Sequence, residues 1–461
     1  MFTMQTKEKI SFIFLFISAI SSYFVGLAYY DSTKGLDFNR YIKNVKFLQG
    51  ENIDIYDGQG TLYYYILSKF LDSYGDLNNY IGNIFVNNSI QFFNFILFIA
   101  GLVGLYFLLI ESTNNKSIVL LSLSILCFFP PAFYFRLTMK PEAMAFAIMP
   151  WCIYLSYRYI SEKKLYITII LALLMTTLLS LKGSITGMVI LCFLNLFWNE
   201  IKKIREHFKL FITTLSLSIF SILLNYQITS RWLFIPPVNP VIETKDKWNN
   251  VAPLDFFINL DIKNVLLNPY KHLHADSLIS ITLLDTLSDY FTFFWNHREI
   301  TNYMAYNRIE FSNNFLIQAF LPQYISILFT VTFYTFAFVL LFKKIEESKI
   351  IIFPCFGIFI LILNALGIPS KNFDPTTGDL FKVHYYSFLL AISFFILTIY
   401  LLNNFEKLNW SISLFIPIFL LSMGFPKSFD SEINLNLIEK LSYSELCFLI
   451  ELTPNIECRD L

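Results

Sequence analysis

Apolar runs of roughly 18 to 25 residues recur along most of this chain, separated by short polar stretches. Each run is long enough to cross a hydrocarbon core of about 30 Å as a helix. The pattern predicts eleven such spans, at about 10–30, 86–110, 118–135, 143–160, 165–181, 184–198, 210–228, 313–342, 350–368, 383–402 and 410–424. The expected fold is therefore all-α, a polytopic membrane helical bundle. Residues 1–424 form the membrane module and residues 425–461 a short tail. The first run, Ile10 to Tyr30, follows Lys7 and Lys9 as a signal peptide would, but it is too long for an h-region and many spans follow. It reads as an uncleaved first helix.

Lys and Arg gather in alternate loops: Lys7/Lys9, Lys116, Arg158/Lys163/Lys164, Lys202/Lys203/Arg205/Lys209, Lys343/Lys344/Lys349 and Lys407. The positive-inside rule puts these loops and the N-terminus in the cytoplasm, and the C-terminus outside. Two large segments then lie outside, residues 31–85 and 229–312, together with the tail. Shorter outer turns carry Arg136 to Glu142 and Ser370 to Lys382.

Inside the first outer segment the apolar positions change period. Phe38, Tyr41, Ile42, Val45 and Leu48 are spaced by three and four, which predicts an amphipathic helix lying on the membrane. Residues 50–60 read as a loop and Thr61 to Leu71 as a second interfacial helix. In the second outer segment, Pro236, Pro237, Pro240 and Pro253 interrupt regular structure. Beyond them, Ser277 to Trp295 predicts a membrane-lying or re-entrant helix with Asp285 and Asp289 on one face.

Composition agrees with the pattern. The 461 residues are 56% hydrophobic and 18% aromatic, with a mean hydropathy of +0.56, a balance foreign to soluble domains. A formal net charge of +0 argues against nucleic acid as a partner. Of six cysteines, Cys127, Cys152, Cys192 and Cys355 sit in apolar runs as small hydrophobes. Cys447 and Cys458 lie in the polar tail, where an oxidising compartment would allow a disulfide and two free thiols are equally compatible.

Four places at the outer face carry candidate chemistry. Asp37 directly follows the first span, where a carboxylate stays ionised yet faces the membrane; capping the next helix is its ordinary alternative. The turn Arg136-Leu-Thr-Met-Lys140-Pro141-Glu142 comes second. Pro141 and Glu142 have a helix-start explanation. Arg136 and Lys140 go beyond it and suit a phosphate. Third is Lys182 in Leu181-Lys-Gly183 between two short apolar helices, a cation that either faces a cavity or snorkels to the interface. Fourth is Lys382-Val-His384-Tyr385-Tyr386 at the entry to a late helix; Lys382 and His384 suit a phosphate and the tyrosines suit a belt.

In this order the four places resemble the membrane glycosyltransferases of the C-type fold that use polyprenyl-phosphate sugars. The likeness is greatest to bacterial relatives of protein O-mannosyltransferases and aminoarabinose transferase. Asp37 falls where the family places its early acidic residue. Arg136 and Glu142 match its Arg and its acidic residue opening the fourth span, Leu181-Lys182-Gly183 resembles its Leu-Thr-Lys-Gly turn, and Lys382 to Tyr386 resembles its late Lys-x-x-Tyr entry. The resemblance covers residues 10 to 400 and departs at Phe38, where the mannosyltransferase branch often has Asp-Glu.

The resemblance implies an inverting transfer at the outer face of a bacterial inner or plasma membrane, from a polyprenyl-phosphate sugar to a hydroxyl acceptor on a glycan, lipid or protein. Asp37 would be the base. Arg136, Lys140, Lys182, Lys382 and His384 would hold the donor phosphate, and Glu142, Tyr41, Tyr64, Asp285, Asp289 and Tyr385 would support the site or the acceptor. No obligate metal is expected, because one phosphodiester charge needs only one or two side-chain cations. Glu142 or the Asp285/Asp289 pair leaves a divalent cation open. The competing readings are an O-antigen-type polymerase or ligase, a transporter or flippase of a lipid-linked glycan, and a membrane scaffold. An arginine-rich loop would favour the first and repeat symmetry the second, and the sequence displays neither.

Overall fold

The computed structural model describes residues 6–29, 32–34, 38–53, 55, 60–72, 83–110, 115–230, 253–267, 277–286, 313–342, 348–365 and 383–404. Among the described residues the chain is helical and contains no strand. It divides into two compact units.

The larger unit holds α1 (Thr6–Tyr29), α2 (Phe38–Leu48), α3 (Thr61–Asp72), α4 (Ile84–Ile110), α5 (Lys116–Leu126), α6 (Pro130–Leu137), α7 (Glu142–Glu162), α8 (Leu165–Leu179), α9 (Gly183–Leu196) and α10 (Phe208–Thr229). A 3-10 stretch, Trp198–His207, joins α9 to α10. The smaller unit includes α11 (Pro253–Ile258), α12 (Ile262–Leu267) and α13 (Leu278–Asp285). A long helix, α14 (Asn313–Phe342), follows in sequence. Then come α15 (Ser348–Ile351), α16 (Phe353–Ala365) and α17 (Ser387–Asn404), which pack within the larger unit.

Among the described residues, three helical segments are long and apolar enough to cross a membrane, Thr6–Ala28, Ile84–Ile110 and Arg205–Thr229. A fourth exists if α5 and α6, bent by 68° at Cys127–Phe129, are one broken span. Pro130 and Pro131 explain the break: neither can donate a backbone N–H, so α6 has to start afresh. This is fewer than the eleven spans the pattern predicts. The helices α8 and α9 have 15 and 14 residues, which reach only about 22 Å and 21 Å at 1.5 Å per residue. Both fall short of a hydrocarbon core of about 30 Å. The predicted span at 410–424 and the tail after it lie outside the described residues.

The larger unit is built around α4, which packs most extensively on α7. Gly101 and Gly104 permit the approach, since a Cβ at Gly101 would lie 2.5 Å from the Phe146 ring. The two predicted interfacial helices are present as α2 and α3, packed on each other. On α2 the buried face is Phe38, Tyr41, Ile42 and Val45, as the spacing predicts. On α3, Tyr63, Tyr64, Leu67 and Leu71 are buried while Leu62, Tyr65 and Ile66 remain exposed, an apolar surface suited to lying in an interface.

One backbone contact ties this segment to the α8–α9 turn. Gly60 N donates to Leu181 O at 2.8 Å, and a Cβ on Gly60 would sit 1.7 Å from Ser180 O. Only glycine fits there. Thr61 N then donates to Asn225 Oδ1 on α10 at 3.2 Å, so the start of α3 is held from two sides. The variant Gly60→Ala is therefore expected to lower stability by about 1–3 kcal/mol, the usual cost of overpacking. Thermal unfolding of the detergent-purified protein checks this, and an unchanged melting temperature would contradict the contact.

Candidate functional site

At the start of α7 the chain turns sharply. Thr138 is extended (φ −106°, ψ 149°), Lys140 N donates to Thr138 O at 2.9 Å, and Pro141 caps α7 with an αR backbone. Glu142 thus occupies the first turn of α7, where the positive end of the helix dipole favours a carboxylate. Its side chain is 1% exposed. A carboxylate so buried needs a partner, and Lys182 Nζ provides one at 2.8 Å from Oε1. The other oxygen, Oε2, is buried and accepts no hydrogen bond from the described residues.

Lys182 precedes α9 with an extended backbone that carries its side chain towards α7. It is 14% exposed, and its Nζ lies 4.3 Å from the centroid of the Tyr385 ring. Tyr385 in turn packs against His384, with centroids 4.3 Å apart. The His384 Nε2 lies 3.0 Å from Lys140 Nζ, and both side chains are buried. Lys140 Nζ also lies over the Tyr41 ring at 5.6 Å, and Tyr41 stacks on Tyr64 at 6.1 Å. Two lysines, a histidine, a glutamate and three tyrosines, drawn from five separate stretches of sequence, are linked by direct contacts. Such a cluster can hold an anion against aromatic faces.

Arg136 is engaged elsewhere. Its Nη1 donates to Ser22 Oγ at 2.8 Å and its Nη2 to Cys127 O at 3.5 Å, while the guanidinium lies over Phe133 and Phe98 at 4.1 and 4.7 Å. The reason is its position on α6, before the chain reverses at Thr138. It works inside the helix packing and is 1% exposed. Of the remaining predicted residues, Asp37, Asp289 and Lys382 lie outside the described residues, as does the Cys447/Cys458 pair. Asp285 ends α13 in the smaller unit, and its side chain also lies outside the described set. Among the described residues, no three His, Cys, Asp or Glu side chains gather as metal ligands.

The apolar helix α4 contributes residues that the motif reading overlooks. Asn87, Gln91 and Asn94, spaced by four and three, form a buried polar stripe. Asn87 Oδ1 accepts from Ser32 N at 2.7 Å and from Gln91 Nε2 at 3.0 Å. Asn94 accepts from the Tyr63 hydroxyl at 2.9 Å and donates to Thr138 O at 2.7 Å. It thereby fastens α3 to the turn that carries Lys140. Burial raises the Tyr63 phenol well above its ordinary pKa, so it remains a donor to Asn94. The signal was in the sequence: three amides at helical spacing inside an apolar run are costly unless they bond.

The buried Glu142–Lys182 pair should behave as a unit. Lys182→Met alone is expected to cost about 3–5 kcal/mol by leaving a buried charge unpaired, and Glu142→Gln added to it should restore much of the loss. Chemical denaturation of the single and double variants checks this coupling; additive losses would contradict it.

Neither a known protein family nor a curated protein sequence matches this chain, so the likeness to the C-type glycosyltransferases rests on the motifs themselves.

Proposed function

We propose that this protein is an inverting glycosyltransferase that takes a sugar from a polyprenyl phosphate and transfers it to a hydroxyl acceptor at the outer face of a bacterial inner or plasma membrane. The observation that carries the reading is the convergence of Lys140, His384 and Lys182 beside buried Glu142 and the Tyr41 and Tyr385 rings. Cations stabilise a leaving phosphate best when they are held in place beforehand, away from bulk water. Tyrosine faces suit the flat apolar side of a sugar ring.

The placement along α7 also supports it. Glu142 opens this 21-residue helix, and at about 1.5 Å per residue its far end lies roughly 32 Å away. There Arg158 and Lys164 pair with Glu162, and Lys163 pairs with Glu206. A charged cluster at each end of a membrane-length helix fits one outer and one cytoplasmic face, with the N-terminus inside and the C-terminus outside. The charges at its ends keep α7 below the apolarity of an isolated span, yet its flanks pack on α4 and α8. In a bundle of this kind, eleven crossings remain the proposed topology.

In the mechanism, Asp37, which directly precedes α2 in the chain, removes the proton from the acceptor hydroxyl. The oxygen attacks the anomeric carbon from the face opposite the phosphate, a new C–O bond forms, and the old C–O bond breaks with its electrons going to the departing polyprenyl phosphate. Lys182 and Lys140, with Lys382, neutralise that phosphate, while His384 accepts from Lys140 Nζ through Nε2 and holds that ammonium in place beside it. Arg136, committed to Ser22 and Cys127, stands outside the proposed step.

Transfer from a polyprenyl-phosphate sugar by the purified full-length protein tests the assignment. Asp37→Asn is expected to slow turnover by about 10²–10⁴-fold with little change in donor binding. Turnover near that of the unaltered protein would remove Asp37 from the role of base.

A further inference from the structure

A second feature runs along α8–α10 and ends at Glu200 and His207, away from the Lys182 turn. An apolar cavity of about 470 Å³ opens between α8, α9 and α10, lined by Phe193, Leu194, Phe211 and Leu215 and ended by Glu200 and His207. Several of its walls are also outward-facing, with Leu194 at 50% exposure and Phe211 at 61%. Entry from the side, out of a hydrocarbon phase, is therefore open, whereas water would find few partners within.

Its polar end is unlike its walls. His207 is buried between the rings of Tyr159 and Phe197, with Nε2 at 3.4 Å from Glu200 Oε2. Its Nδ1 is buried and has no hydrogen-bond partner among the described residues. Lys203 bonds Glu200, while Arg205 and Lys209 flank His207 in sequence, exposed and outside any ion pair among the described residues. An apolar slot whose end residue, His207, is flanked in sequence by two exposed cations matches one chain and the phosphate of an amphiphile.

We infer that this cavity binds an anionic glycerophospholipid from the cytoplasmic leaflet, one acyl chain between α9 and α10 and its phosphate at the His207 end, held by Arg205 and Lys209. The site is separate from the one proposed for the polyprenyl-phosphate donor. Its polar end lies at the Phe197 end of the 14-residue α9, while Lys182 precedes the Gly183 end. The inference rests on the proposed orientation, which puts the Phe197 end of α9 on the cytoplasmic side, and is independent of sugar transfer.

The test uses the delipidated full-length protein in a neutral detergent, titrated with dioleoyl phosphatidylglycerol, dioleoyl phosphatidylcholine or a polyprenyl phosphate and read by native mass spectrometry. Phosphatidylglycerol should bind more tightly than phosphatidylcholine, and Arg205→Ala should weaken it roughly five-fold. Ser218→Phe, which fills the cavity, should weaken both phospholipids. Equal binding of the two phospholipids, or no effect of Ser218→Phe, would overturn the site. Photolabelling of the unaltered protein with a diazirine phosphatidylglycerol provides a readout that needs no variant. Labels within residues 190–218 support the inference, whereas labels confined elsewhere, or their displacement by polyprenyl phosphate at equal concentration, overturn it.

Discussion

The larger unit is organised around a carboxylate that has almost no access to water. Glu142 is held by the first turn of α7 and by one ammonium group, Lys182, which comes from a different helix junction. A buried charge without its partner would be strongly destabilising, so the start of α7 and the α8–α9 turn have to meet. The turn then has to be where Gly60 can bond Leu181 O and leave room for Ser180 O. This places the loop that leads into α3 against the same turn, with Asn225 holding Thr61 from α10. Four segments far apart in sequence are thereby drawn to one end of the unit.

A second set of polar bonds makes that arrangement rigid. Asn94 joins the Tyr63 hydroxyl to Thr138 O, and Asn87 joins Ser32 N to the same helix. Inside α4 these amides have no water to fall back on, so each bond is hard to exchange for another. The turn carrying Lys140 consequently has a fixed height along α4, and the Lys140–His384 and Lys140–Tyr41 contacts inherit it. Preorganisation of this kind is what a phosphate-binding cluster needs, because cations that must first be gathered stabilise a transition state less.

Much of this was legible from the pattern of residues. The period of three and four in Phe38, Tyr41, Ile42 and Val45 marked α2 and its buried face, and the proline pair at Pro130 and Pro131 lay inside the run that proves to be broken. Lys140, Glu142, Lys182, His384 and Tyr385 stood out as polar residues beside apolar runs, and direct contacts connect them. Arg136 stood out for the same reason but turns back into the packing against Ser22, because charge and position along a chain do not reveal which way a side chain faces before a reversal. The amides of α4 were visible as letters and silent as motifs; their value lies in bonds to Tyr63, Ser32 and Thr138, distant in sequence. Helix length was the weakest inference, since hydropathy windows run across the ends of α8 and α9 and add residues that the turns consume.

The measurement that tests the central claim most directly is an experimental structure of the full-length protein in a lipid nanodisc with a non-hydrolysable polyprenyl-phosphate sugar analogue. The account predicts phosphate density in contact with Lys182 and Lys140 or His384, with the anomeric carbon facing Asp37. A phosphate bound at another part of the chain, with the Glu142–Lys182 pair closed and no ligand near it, would contradict the claim that this cluster is the donor site.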